Sequence, residues 1–287
     1  MNLADTLTPA RRAADPFPHY AIPDALPREA FEALVAAFPA NEQVMQGGSA
    51  GDNRRYSWSA NDTIAAAALD PTWRAFVETH VSQAFLDGVL RALADDIRAS
   101  YPGIEAAVGR GIGEWRAGLR RRDTFATADV LLDAQICINT PVVSQPSSVR
   151  GPHVDKPNKL FAGLYYLRPP HDDDTRGGEL ELYRYRNRAA RFDGAEVSPR
   201  DVELAHTVPY AGNTFVLFLN SLEALHGVTP REVTPNTRYF FNLVGEVDVP
   251  LFDLRARQQR TRGLRRARKR LKNALAGRET RSGQRYD

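Results

Sequence analysis

Two periods of apolar residues divide this chain. From "PFPHYAIPDALPREAFEALVAAFP" (16–39) the pattern predicts a short strand, a turn and a helix opened by Asp24 or Pro27. Phe31, Leu34, Val35 and Phe38 then fall on one face at 3.6-residue spacing. A longer helical stretch is predicted from Pro71 to Ser100. There Trp73, Phe76, Val77, Val81, Phe85, Val89, Leu90, Leu93 and Ile97 keep the same period, and Pro71 suits a first turn. After the Gly/Arg-rich connection "YPGIEAAVGRGIGEWRAGLRRRD" the period falls to two and stays there through residue 248. "DVLLDAQICINTP", "LFAGLYYL", "GGELELYRY", "DVELAHTVPY", "NTFVLFLN" and "TRYFFNLVGEV" read as strands separated by Gly, Pro, Asn or Asp turns. The expected fold class is α+β with a mainly β core, a barrel or jelly roll. Its expected parts are N-terminal strand and helices over 1–125, a catalytic β core over 126–250 and a basic extension over 251–287.

With 287 residues, 43% of them apolar, the chain can bury one large core. Its single cysteine, Cys137, excludes a disulfide framework and a thiol-rich zinc site, and fits a reducing, cytoplasmic setting. The N-terminus lacks an apolar leader, and no apolar run approaches the ~20 residues needed to span a bilayer. Net charge is +3 but unevenly spread. Residues 255–287 hold 13 Lys/Arg against Glu279 and Asp287, a charge of +11, which leaves −8 on the first 254 residues. Any polyanion contact therefore belongs to the tail, read as a solvated extension able to meet an acidic partner, nucleic acid or anionic lipid. The glycines of Gly109–Gly113 follow no strand of a βαβ unit, so they are read as a permissive loop rather than a nucleotide cradle.

The stretch "GPHVDKPNKLFAGLYYL" (151–167) sets His153 and Asp155 two apart at the mouth of a strand, where residues i and i+2 face one side. A lone H-x-D is common, and each histidine taken singly is more often a hydrogen-bonding residue. His226, just beyond the apolar strand "TFVLFLN", supplies a third ligand if it faces the same end of the fold. Two imidazoles and one carboxylate with open positions are the donor set of non-haem Fe(II) oxygenases. Twelve residues on, Arg238 places a guanidinium on the next strand, whose planar fork matches a carboxylate, and Tyr166 can donate to the same anion. His19, His80, His171 and His206 have no comparable partners and are read as structural. His171 with Asp172–Asp174 is read as an exposed acidic turn rather than a second metal site.

"HVDKPNKLFAGLYYL", "RGGELELYRY" and "LHGVTPREVTPNTRYFFNLV" together resemble the 2-oxoglutarate- and Fe(II)-dependent oxygenases of the prolyl 4-hydroxylase type, in motif order and spacing from about 130 to 248. "PFPHYAIPDALP" resembles that family's usual entry segment; the tail has no counterpart. The resemblance implies a double-stranded β-helix with helices packed outside it. It implies His153, Asp155 and His226 as iron ligands, Arg238 and Tyr166 as the pair on the distal carboxylate of 2-oxoglutarate, and Asn139 and Gln135 facing the cosubstrate or substrate. Implied cofactors are Fe(II), 2-oxoglutarate and O2, with ascorbate as an accessory reductant. The implied reaction is hydroxylation of a C–H bond with release of succinate and CO2, and Asp155 argues against halogenation, which needs a smaller residue there. A small-molecule substrate (amino acid, sugar or natural-product intermediate) is expected. The alternatives are a prolyl or other residue of a protein, guided by the basic tail, and a silent binding protein on the same fold. Oxidation of a nucleic acid would need basic residues around the cavity itself. The loop "RPPHDDDTRGG", the arginines of 110–122 and the helices before residue 100 are expected to shape the pocket.

Overall fold

The computed structural model describes residues 1–172, 174–186, 190 and 192–254. Six α-helices come from the first 108 residues: α1 Arg28–Ala36, α2 Asn41–Met45, α3 Ala60–Ala65, α4 Pro71–His80, α5 Gln83–Ser100 and α6 Ile104–Val108. Pro27 is the N-cap of α1, while Asp24 lies upstream in a left-handed turn. The apolar stripe expected to run unbroken from Pro71 to Ser100 is divided at Val81–Ser82. Ser82 takes an extended backbone and its hydroxyl accepts from Phe85 N at 3.2 Å, which caps α5 and ends α4. The 3.6 period survives the break because both helices press their apolar faces on one sheet.

The strands are β1 Arg12–Ala13, β2 His19–Ile22, β3 Arg55–Trp58, β4 Ala117–Leu119, β5 Val130–Asn139, β6 Lys159–Tyr166 and β7 Leu180–Tyr185, followed by β8 Phe192–Asp193, β9 Glu196–Val197, β10 Val202–Val208, β11 Thr214–Leu219, β12 His226–Val228 and β13 Arg238–Glu246. A large sheet runs β1-β2-β11-β6-β13-β5-β3, with β4 joining β5 in parallel, and a small sheet runs β10-β7-β12. The β8 and β9 strands form a two-stranded sheet of their own, and the fold is α+β and dominated by sheet, with open sheets rather than a closed barrel among the described residues. The front of the chain is not purely helical, since β1 to β4 all add to the large sheet.

Alternation decides what each face of the large sheet meets. On β5, Val130, Leu132, Ala134, Ile136 and Ile138 join the core that contains Trp73, Phe76, Phe85 and Leu93 of the helices. Cys137, Ala162, Tyr166, Val216, Phe218 and Phe240 point the other way, packing with Leu180 and Leu182 of the small sheet. Two layers of apolar packing therefore grip the large sheet, and the inward layer holds the polar residues Asn139, Arg238 and Asn242. The Gly109 position of the glycine-rich loop has φ +87° and ends α6, a helix cap and not a phosphate cradle.

Candidate active site

Between the sheets lies a cavity of about 190 Å³. His153, Asp155 and His226 line one part of it, and Asn139, Arg238 and Asn242 another. A larger groove of about 410 Å³ lies outside the large sheet, between the segment Val35–Glu42 and Tyr239, but it lacks any such cluster of titratable groups.

His226 opens β12, and His153 sits in the lead-in to β6 rather than in a regular strand. The two pair reciprocally through their backbones, each N–H donating to the other's carbonyl at 2.9 Å. This bridge brings segments 73 residues apart together and sets the ring centroids 4.1 Å apart. Each Nδ1 lies against the carbonyl two residues before it, His153 on Gly151 at 2.8 Å and His226 on Ala224 at 2.9 Å. A carbonyl only accepts, so both Nδ1 atoms carry the hydrogen and both Nε2 lone pairs are free. The ligand atoms of His153, Asp155 and His226 all lie within 4.8 Å of one another, close enough for one cation to draw together. Burial pushes both imidazoles down, helped for His153 by His226 and Arg150. For Asp155 burial works to raise the carboxyl, but Lys159 Nζ at 3.0 Å and the two histidines prevail and hold it below the usual range. At neutral pH the trio is two neutral imidazoles and a carboxylate, the protonation state a divalent metal requires.

The second part of the cavity holds a buried cation. Arg238 is 3% exposed, with its guanidinium 5.1 Å from the Tyr166 ring centroid and 4.8 Å from those of Tyr210 and Phe240. Its Nε donates to Gly178 O at 3.0 Å and its Nη1 to Asn139 Oδ1 at 3.3 Å. Gly178 permits this approach: at φ +88°, a Cβ there would meet Arg238 Cδ and Nε at 3.2 Å. Arg238 Nη2, Asn139 Nδ2 and the Tyr166 hydroxyl are buried without a hydrogen-bond partner. Burial raises the Tyr166 phenol despite the nearby guanidinium, so the hydroxyl keeps its proton to donate. Unpaired donors cost about 1–3 kcal/mol each, more when charged, so three such donors on neighbouring strands suit one absent acceptor, a carboxylate.

The other sequence-derived candidates fall differently. Gln135 shares the inward face of β5, yet its amide donates to Asp133 Oδ2 at 2.7 Å and accepts from Asn242 Nδ2 at 2.9 Å, so Asn242 stands between it and the cavity. The arginines of 110–122 do not line the cavity: Arg110 and Arg116 pair with Asp129, Arg120 with Asp133 and Glu246, and Arg121 with Asp62. The helices before residue 100 likewise lie on the outer face of the sheet. Asp172 is not exposed but 3% accessible, 3.6 Å from Arg168 Nη2 and accepting from Asn236 Nδ2 at 2.9 Å, which makes it a loop clasp; Asp173 lies outside the described residues. His80 is buried between Leu3 N and Phe76 O, and His19 and His206 face each other at 6.2 Å. Cys137 is buried with a free thiol.

Several lining residues were not read from the sequence. Phe240 and Asn242 follow Arg238 at period two, and Lys159 lies four residues after Asp155, so a pattern-based search could have found them. Arg55 carried no local signal, because β3 joins β5 from more than 70 residues away and places Arg55 in register with Asn139, itself in register with Arg238.

Residues 143–243 match the family model of the 2OG-Fe(II) oxygenase superfamily. The fold is similar to a prolyl-4-hydroxylase from Pseudomonas putida, at 13% identity and TM-score 0.43, over 86% of this chain and 100% of that one. It is similar to a dioxygenase for auxin oxidation in rice, at 15% identity and TM-score 0.39, over 84% of this chain and 76% of that one. A prolyl hydroxylase from Trichoplax adhaerens, solved with a hypoxia inducible factor peptide fragment, is similar at 14% identity and TM-score 0.39, over 86% and 88%. A search of the curated proteins finds no match.

Proposed function

We propose that this chain, whose residues 143–243 match the family model of the 2OG-Fe(II) oxygenase superfamily, is an oxygenase of that kind and hydroxylates an unactivated C–H bond of a small molecule. When bound, Fe(II) with 2-oxoglutarate and O2 supplies the oxidising chemistry, in which the cosubstrate becomes succinate and CO2 and one oxygen atom enters the substrate. His153 and His226 would hold the metal through Nε2, with Gly151 and Ala224 fixing their rings, and Asp155 would add the anionic ligand. Arg238, with Tyr166 and Asn139, would take the distal carboxylate of 2-oxoglutarate, while Gln135 would act on the site only by orienting Asn242. Phe218, Phe240 and Leu164 line the space between with apolar surface.

The observation that carries this reading is the presence, in one cavity, of a three-ligand metal set and a buried guanidinium whose neighbours keep unpaired donors. The cavity is small, so a compact molecule, or one side chain of a larger one, is what can enter it. A protein-directed reading would rest on the basic tail, which lies outside the described residues. The deciding experiment incubates the Fe(II)-loaded protein with 2-oxoglutarate and a metabolite extract, with and without residues 255–287. Succinate formation coupled to a product heavier by one oxygen atom, unaffected by loss of the tail, is expected. Turnover that appears only with protein substrates and only with the tail present would replace this reading by the other.

A further inference from the structure

The cavity holds more positive charge than the metal and cosubstrate can use. Arg55 lines it from β3, its guanidinium 5.2 Å from the Phe240 ring centroid, its Nε 3.3 Å from Ser57 Oγ and its Nη2 3.8 Å from Cys137 Sγ. No carboxylate among the described residues lies within ion-pair distance of it. Arg150, also lining the cavity, reaches Asp155 Oδ1 only at 3.9 Å and Glu196 Oε1 only at 4.0 Å, beyond hydrogen-bond length. Lys159 leans on Asp155 itself.

Resting on the proposed Fe(II) and 2-oxoglutarate site, the charge balance is simple. A ferrous ion and Asp155, with dianionic 2-oxoglutarate and Arg238, cancel; among the described residues Glu196 is then the one remaining carboxylate within ion-pair distance of Arg55, Arg150 or Lys159. We infer that the substrate of this enzyme carries an anionic group, a carboxylate or a phosphate, held by Arg55 and Arg150 at the mouth of the cavity.

The partners of Arg55 explain why this charge is available. A serine hydroxyl and a thiol satisfy its geometry without neutralising it, and the Phe240 ring shields one side of the planar fork. Arg238 lies 4.8 Å from the same ring centroid, so one aromatic side chain contacts both guanidinium groups. Arg55 and Arg238 are each in register with Asn139, on strands flanking β5, which fixes their separation through the sheet. A small anion fits this arrangement better than a nucleic acid: the first 254 residues carry −8, so a polyanion tracking outward from the mouth meets repulsion.

The test uses the full-length protein loaded with Mn(II) in place of Fe(II) and saturated with 2-oxoglutarate, saturation being established separately for each variant. The probes are inorganic phosphate and acetate, read by the paramagnetic relaxation of their ³¹P and ¹³C nuclei. Enhanced relaxation of at least one probe is expected in the presence of 2-oxoglutarate. Arg55→Gln should weaken that binding roughly tenfold, and Arg55→Lys should recover part of it, as loss and partial return of a charge-assisted bond require. Preferential relaxation of phosphate would assign a phosphorylated substrate, and of acetate a carboxylic acid. Relaxation that vanishes once 2-oxoglutarate is saturating would mean the probes had occupied the cosubstrate's place, and would overturn the inference. Equal relaxation in parent and Arg55→Gln would overturn it too, as would a short single-stranded oligonucleotide that displaces the probes at stoichiometric concentration. Failure of Mn(II) or 2-oxoglutarate to bind at all would instead remove the premise, and is seen before any anion is added.

Discussion

Replacing Arg238 with methionine separates the cost of burying a guanidinium from the use made of it. Methionine keeps the length and the contacts with Tyr166, Tyr210 and Phe240, and removes the charge. In the free protein the guanidinium has one nitrogen without a partner and only neutral acceptors, Gly178 O and Asn139 Oδ1, on the others. Losing those two bonds costs about 1–3 kcal/mol each, and relief of the buried charge offsets much of it, so the net change in stability should stay within about 2 kcal/mol. With 2-oxoglutarate present the balance differs. Removing one partner of a buried, hydrogen-bonded charge pair costs about 3–5 kcal/mol, which weakens cosubstrate affinity roughly a hundred- to a few-thousand-fold. Thermal unfolding in Mn(II) across a 2-oxoglutarate titration reads both numbers. A concentration near 100 times the parent Kd should stabilise the parent by about 2.7 kcal/mol and the variant almost not at all. An Arg238→Met protein whose 2-oxoglutarate affinity lies within about threefold of the parent would show that the carboxylate is bound elsewhere.

Other consequences are as direct. Burial holds the His80 imidazole at about 3, below the ordinary 6.5, so the unfolded chain takes up the proton first. Stability from this residue is complete above about pH 6.5 and is lost as the pH falls toward 3, on the order of 5 kcal/mol in all. In acid titrations followed by circular dichroism, His80→Phe should show a shallower pH dependence than the parent over that window, and equal slopes would contradict the assignment. Gly177→Ala should destabilise by more than about 2 kcal/mol in denaturant melts: its φ is +83° and a Cβ would run into Pro230 O and lie 2.7 Å from Arg231 Cα. A neutral result would mean that the Gly177–Gly178 turn can move without disturbing Arg238.

The strands that carry the site were legible because they are long apolar runs bounded by turn residues. β5, β6, β11 and β13 each run six to ten residues, buried on both faces, and their length, their β-branched and aromatic residues and the Gly, Pro, Asn or Asp turns around them mark them as strands. β12 was not legible: three residues give no period, although they carry His226. The pair β8 and β9, two residues each, left no pattern either. Arg238 could be placed because a charge inside an apolar alternation demands a partner, whereas Arg55 sits on a four-residue edge strand whose mate lies far along the chain. The arginines of 110–122 misled for a related reason. A charge run shows no direction in sequence, and these side chains turn to Asp129, Asp133 and Glu246 instead of the cavity. Asp172 misled likewise, since an acidic turn reads as solvated until Arg168 and Asn236 are seen to enclose it.

Anaerobic titration of the protein with Fe(II), followed by calorimetry, tests the central assignment most directly. The parent should take up one ferrous ion per chain, and His153→Ala and His226→Ala should each lose that binding while keeping the parent's circular dichroism. Stoichiometric Fe(II) binding retained by a folded His226→Ala protein would contradict the account, because the metal would then not sit where these two histidines and Asp155 converge.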